Sequence, residues 1–416
     1  MNHLKLFPKQ LEFIQRPERI GLLLAGLGFG KSYTLAVYIV TKALIHPGSQ
    51  SAMASRDHKQ LILALDKEVR LVLSQMGLIE GKHFSRTISP HLTYKFRNQS
   101  TIIGLSAENY DSAFRGVNLN FLVLDELGYY DELAFRTALG RVRLNPSQIR
   151  TGTTPKGFNF VHENFIEKPN KSSFVIKATT YDNPLLSSDY VESLRESYPQ
   201  RLFDQECMAE FVDMSAEAAY FSFNKEFNVA KVEQQPEFQI YAALDFNVSP
   251  MCSIIFQIIN KKIMIFNEIV ISDNADTYKF GFLLKEHYGT NINIISDSTG
   301  SNRSTVGPSN HSILRSMGFN LLPSKNPFVF DRVMMVNKML QDKRILIDHK
   351  CGHLIRCLSK TSWNKSGKLD QSKDKTLTHS SDSLGYAVFK LFPPTPGTYS
   401  NIDRSGSVLI ESNQNY

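Results

Sequence analysis

The sequence offers three groups of residues whose types and spacing could do chemistry. The first is Gly26-Leu27-Gly28-Phe29-Gly30-Lys31-Ser32, a glycine-rich loop that closes on Lys-Ser. An apolar run over residues 22–24 precedes it, and a helical pattern over residues 33–44 follows. Strand, loop and helix in that order make a phosphate cradle. Backbone N–H groups curl around phosphate oxygens, the lysine reaches the β- and γ-phosphates, and the hydroxyl ligates Mg²⁺. Gly26, Gly28, Gly30, Lys31 and Ser32 are therefore candidate nucleotide ligands, with Ser32 also a metal ligand. Ala25 stands where the motif usually starts with glycine, which demands a negative φ at that residue. The bland alternative is a glycine-rich turn ahead of a packing helix.

The second group is acidic. Phe121-Leu122-Val123-Leu124 runs into Asp125-Glu126. Four consecutive apolar residues suit a central parallel strand buried on both faces, and such strands present ligands at their carboxyl ends. There Asp125 would hold Mg²⁺ and Glu126 would polarise the attacking water. Gln10, in Phe7-Pro8-Lys9-Gln10, carries an amide able to pair with an adenine edge. Thr153 and Thr154 follow another short strand, where hydroxyls could sense a γ-phosphate or simply cap a turn.

The third group is spread over the second half. Asp245 ends the strand-like run over residues 240–245, and Asp297 ends another over residues 292–297. Asp382 falls in the first turn of a helix opening at His379. Strand, meander, strand and late helix, with acids at those points, is the order of RNase H-like nucleases, whose carboxylates hold two metal ions around a scissile phosphate. Oxygen ligands suit Mg²⁺ or Mn²⁺. Each acid taken singly also reads as a turn cap. Glu268 is a weaker fourth candidate, and Asp374 lies in a charged loop.

The elements that must position these groups can be read coarsely. The first half alternates strands (residues 20–24, 51–55, 121–124, 148–151 and 174–178) with helices such as 58–76, and residues 92–96 and 101–105 read as an inserted hairpin. The predicted fold class is α/β: an N-terminal P-loop NTPase domain with a mostly parallel sheet and a C-terminal RNase H-like nuclease domain with a mixed sheet. The expected limits are 1–213 for the ATPase, 214–236 for a linker, 237–392 for the nuclease and 393–416 for a flexible tail. A length of 416 residues supports two or three domains. The net charge of +7 favours a polyanionic partner. Four scattered cysteines form no disulfide framework, and core positions suit them better than a zinc pattern. No apolar run reaches the ~18 residues of a membrane span, and the N-terminus lacks a signal-peptide pattern.

A P-loop ATPase followed by a three-acid nuclease resembles the large terminase subunit of tailed bacteriophages, over roughly residues 4–390. The resemblance implies an ATP-driven motor that packages double-stranded DNA into a procapsid and cuts concatemers. It implies Gln10 at the adenine, Thr153–Thr154 as the coupling motif, and Arg115 reaching the ATP of a neighbouring subunit, with Arg56 as its rival. Many relatives carry an arginine inside the P-loop where this chain has Leu27. Further implications are a homo-oligomeric ring, a portal protein and a small terminase subunit as partners, and the host cytoplasm as location. The alternative is a helicase-like or repair ATPase fused to a nuclease, although no second motor core is visible.

Overall fold

Every residue of the run Phe121–Asp125 is buried, and that places it in the middle of a sheet. The computed structural model describes residues 4–212, 218–246, 250–272, 275–301, 307–322, 326–364, 368–372 and 374–393. The expected tail from residue 394 onward lies outside them. Contacts divide the described residues into two units, one holding residues 4–192 and 200–212, the other residues 193–199 and those described from 218 to 393.

The first unit is built on eight strands: β1 (Ile20–Ala25), β2 (Gln50–Ser55), β3 (Phe84–Thr87), β4 (Thr93–Phe96), β5 (Thr101–Ser106), β6 (Phe121–Asp125), β7 (Gln148–Thr153) and β8 (Ser173–Ala178). They lie in the order β3-β4-β5-β2-β6-β7-β1-β8. The neighbours from β5 to β8 pair in parallel, and only β3–β4 and β4–β5 are antiparallel. The hairpin expected from the sequence is thus no separate insertion. Its second strand, β5, belongs to the parallel sheet, and β3 extends the antiparallel edge. The β3 run, Phe-Ser-Arg-Thr, offers too little apolar alternation to be seen in the sequence.

Helix Lys31–Ile45 covers one face of this sheet. It shares a core with Phe13, Leu23, Met53 and Val123. Leu22, Leu24, Leu122, Leu124 and Phe135 fill the opposite face. Successive strand residues point to opposite faces, so burial on both sides requires an unbroken apolar run. Each such side chain taken from water contributes about 1.5–3 kcal/mol.

The second unit has six strands: β9 (Ile240–Asp245), β10 (Met251–Ile259), β11 (Lys262–Ile271), β12 (Ile292–Ser296), β13 (Asn320–Leu322) and β14 (Ile345–Ile347). Their order is β13-β12-β9-β10-β11-β14. The meander β9–β10–β11 is antiparallel, and β12 joins β9 in parallel. Helix His379–Leu391 packs across β9, β10 and β12 and against helix Val329–Gln341. The sheet is therefore mixed, and the fold is that of an RNase H-like domain.

The stretch read as a linker is, in its described part, bonded into this second unit. The Ala219 N–H donates to the Thr361 carbonyl at 2.7 Å. Val229 bridges to Ile347, and the Val232 N–H donates to Asp348 Oδ2 at 2.8 Å. These are single local bonds with no periodicity, so the sequence pattern does not reveal them.

Candidate functional site

The P-loop forms where β1 leaves the sheet. Ala25 is the last residue of β1 and lies outside the positive-φ set, so a Cβ is tolerated there. Gly28 and Gly30 have φ of 75° and 95°, which glycine adopts without steric cost. Gly26 is needed for space: a Cβ there would stand 2.4 Å from the Cys207 carbonyl oxygen.

Lys31 opens the helix behind the loop. Its Nζ donates to Thr154 Oγ1 at 2.8 Å, to the Ala25 carbonyl at 3.2 Å and to the Gly26 carbonyl at 3.4 Å. It lies 3.8 Å from Glu126 Oε1. The Ser32 hydroxyl donates to Asp125 Oδ2 at 2.8 Å. Thr154 Oγ1 also reaches the Ala25 carbonyl at 3.2 Å, and the Gly128 N–H donates to Thr153 Oγ1 at 3.1 Å. The P-loop, the acidic strand end and both threonines thus converge on one place at the carboxyl ends of β1, β6 and β7.

Burial and the neighbouring Glu126 charge push the Asp125 carboxyl up to about 7, against the Ser32 hydroxyl and the Lys31 ammonium. Asp125 Oδ1 is buried with no hydrogen-bond partner among the described residues. An orphaned carboxylate oxygen beside a hydroxyl is an incomplete set of hard ligands, and it fits Mg²⁺.

Gln10 is buried. Its Oε1 accepts from the Phe7 N–H at 3.0 Å and its Nε2 donates to the Phe29 carbonyl at 3.3 Å, so its amide braces the loop. Arg115 lies on an exposed helix end and pairs with Asp111 at 2.7 Å. Leu27 is buried.

Sequence reasoning missed the braces beyond residue 178. The Leu27 N–H donates to the Glu206 carbonyl at 2.6 Å. Thr180 Oγ1 donates to the Leu27 carbonyl at 2.8 Å, and Asn183 Nδ2 to the Gly28 carbonyl at 2.6 Å. Burial raises the Glu206 carboxyl above its ordinary value, with Glu126 adding to the rise and Lys31 opposing it. Nothing in the spacing of these residues marks them, because their partners lie about 150 positions away.

The second acidic group gathers at the ends of β9 and β12. The parallel register sets Ser296 beside Leu244, so Asp297 and Asp245 leave the sheet as neighbours. Both are buried. Asp382 faces them from the first turn of helix His379–Leu391. Burial pushes its carboxyl up to about 6; Arg332 opposes that rise and Asp245 adds to it. Two basic side chains sit on these acids: His379 Nδ1 lies 3.0 Å from Asp245 Oδ2, and Arg332 lies 2.5 Å from Asp382 Oδ1. His379 is three residues ahead of Asp382 on the same helix, a spacing that could have flagged it.

Three carboxylates are the right chemistry for Mg²⁺ or Mn²⁺. Among the described residues, no three His, Cys, Asp or Glu side chains close into a ready-made cage. Glu268 caps a helix, accepting from the His353 and Leu354 N–H groups at 2.8 and 2.9 Å. Asp374 pairs with Arg356 and caps a turn through Thr376. The four cysteines are buried and none is in a disulfide.

Comparison with known proteins bears on this arrangement. Residues 22–227 match the family described as terminase large subunit, T4likevirus-type, N-terminal. No curated protein matches the chain. The large terminase of a thermophilic bacteriophage is 16% identical, over 93% of this chain and 99% of that one, with a TM-score of 0.57. Its complex with ADP gives 17% identity, coverage of 93% and 100%, and a TM-score of 0.57. Its complex with ATP-γ-S gives 17%, 93% and 99%, and 0.54. At these identities the likeness is one of fold. The fold match runs on through the second unit, and the family match covers the P-loop, the acidic strand and the paired threonines: residues 22–227 belong to the N-terminal part of the large terminase subunits.

Proposed function

We propose that this chain is the motor and nuclease subunit of a DNA-packaging machine. It hydrolyses ATP to drive double-stranded DNA into a procapsid and cleaves concatemeric DNA. It works as a homo-oligomeric ring with a portal protein and a small terminase subunit, in the host cytoplasm during assembly. The observation that supports this reading best is the junction of Lys31, Ser32, Asp125, Glu126, Thr153 and Thr154 around one glycine loop.

Lys31 binds the β- and γ-phosphates, exchanging carbonyl partners for phosphate oxygens. Gln10 keeps the loop in shape next to the base. Glu126 accepts a proton from the water that attacks the γ-phosphate, and ADP leaves with its phosphates held by loop N–H groups. Thr154 touches Lys31, and Thr153 touches the Gly128 N–H, so a change at the phosphate shifts the backbone after β6 and β7. Arg115 serves the pocket of the neighbouring subunit. In the second unit Asp245, Asp297 and Asp382 hold divalent ions. Bound metal supplies charge neutralisation at the phosphates in both units and an activated water at the scissile bond. His379 orients Asp245.

The test is ATP turnover with and without DNA, together with Mn²⁺-dependent cleavage of plasmid DNA. DNA-stimulated turnover that Lys31→Ala abolishes, with cleavage retained, is the expected result. Turnover indifferent to Lys31→Ala would reject the pocket.

A further inference from the structure

Arg332 is a buried cation with a shaped seat. It projects from helix Val329–Gln341 onto helix His379–Leu391. Its guanidinium pairs with Asp382 at 2.5 Å, with side-chain exposures of 7% and 15%. The guanidinium carbon lies 5.0 Å from the Tyr386 ring centroid. Between those contacts is Gly385, where a Cβ would stand 3.0 Å from Arg332 Cδ. Asp382, Gly385 and Tyr386 fall at i, i+3 and i+4, so one helix face fits the whole length of the arginine: charge, gap and ring. Arg332 Nε is buried with no hydrogen-bond partner among the described residues. The seat therefore serves the contact with Asp382 above all.

The helix that carries Arg332 also holds the chain arriving from the ATPase half. Asn337 Oδ1 accepts from the Ser222 N–H at 2.9 Å, and Asn337 Nδ2 donates to the Ala219 carbonyl at 2.9 Å. Tyr220, between them, is 1% exposed. A pull on residues 219–222 is thus applied to the helix that places the arginine.

We propose that Arg332 is a resident cation that competes with the divalent metal for Asp382, and that the tether at Ala219–Ser222 biases the outcome. The inference rests on the nuclease reading of Asp382 given above. A buried carboxylate needs a counter-charge, and the guanidinium supplies it while metal is away. A divalent ion and a guanidinium at one carboxylate oxygen repel each other, so binding the ion requires Arg332 to leave. The nuclease is then held at low metal affinity until the helix shifts, which suits an enzyme whose free cutting would destroy its own cargo.

The experiment titrates the full-length protein, free of nucleotide, with Mn²⁺ alone. Calorimetry follows binding, and Asp382→Asn identifies the share of the heat that belongs to this site. Intrinsic fluorescence gives a second readout. The single tryptophan of the chain, Trp363, has its ring centroid 6.1 Å from that of Phe330 on the arginine's helix, at a tilt of 37°. Arg332→Met is expected to tighten the Asp382-dependent Kd roughly tenfold or more, as removal of a contacting like charge should. Arg332→Lys keeps the charge, loses the stacked plane and should fold where Met does not; it is expected to shift Kd the same way, but less. In the unsubstituted protein the fluorescence should change with the midpoint of the heat. Unchanged Kd in both variants, with Asp382-dependent binding present, overturns the proposal and leaves the nuclease reading standing. Absence of Asp382-dependent binding in every form, together with absent cleavage, overturns both.

Discussion

Glu126 stands in the left-handed region, at φ 54°, directly after the acidic strand. A non-glycine residue there carries strain that the surrounding bonds must hold. The reward is direction: its carboxylate lies 3.8 Å from Lys31 and makes a long contact of 3.4 Å with Thr153 Oγ1. A base in that position has to accept a proton, which an amide cannot do. Glu126→Gln is therefore expected to bind ATP normally and to hydrolyse it ~10²–10⁴-fold more slowly, in single-turnover assays with labelled nucleotide. Equal turnover would remove Glu126 from the chemistry. Lys31, Ser32, Asp125 and Glu126 were legible in the sequence because each sits in a short motif with a fixed element on either side. Glu206, His379 and Arg332 were not, since their significance lies in contacts between segments far apart in the chain.

At the scale of elements, one buried acid ties the antiparallel edge of the first sheet to a helix. Asp66 is fully buried. It accepts from Arg86 at 2.7 Å and from the Tyr94 hydroxyl at 2.6 Å. Removing it leaves the Arg86 charge and a hydroxyl without their partner, so Asp66→Ala should cost about 3–5 kcal/mol in urea unfolding. Tyr94→Phe, which removes the bond donated to Asp66 and the one accepted from Arg86 Nε at 3.2 Å, should cost about 1–2 kcal/mol. Nearby Glu68 titrates instead of pairing. Burial raises its carboxyl above the ordinary value, so the folded chain holds that proton more tightly than the unfolded one. The stability from this group is complete below the unfolded pKa and is lost as pH rises through the folded pKa. Glu68→Gln should thus raise Tm at about pH 8, by on the order of 1 °C, and leave it unchanged below about pH 4. Apolar runs disclosed the central strands of both sheets. The edge strands β3, β13 and β14 escaped because they are short and pair with one neighbour only, and the bonded stretch after residue 217 escaped because single side-chain bonds have no period.

For the molecule as a whole, the two candidate sites lie in two units that fold around separate sheets. Their failures should therefore be separable. Asp297→Asn is expected to lower DNA cleavage by orders of magnitude while ATP turnover persists, measured on one preparation; a parallel loss would mean that the two sites depend on each other. The ring reading gives a different signature. Arg115→Ala and Glu126→Gln subunits, each inactive, should regain some ATPase activity when mixed, because one mutant supplies the arginine and the other the base. No recovery at any ratio, with mixing verified, counts against the trans arginine. The net charge of +7 adds that DNA stimulation should weaken as salt rises.

The bracing of the P-loop has a consequence for amide exchange with deuterated water. The Gly26 and Leu27 N–H groups already donate to the Ala178 and Glu206 carbonyls, at 3.0 and 2.6 Å. The first amides of helix Lys31–Ile45 belong to a helix start, where the helix itself supplies no acceptor. Nucleotide should therefore slow the exchange of Lys31 and Ser32 strongly and that of Gly26 and Leu27 hardly at all. The root of the cradle keeps the same clock in both states, and only its rim registers the phosphate.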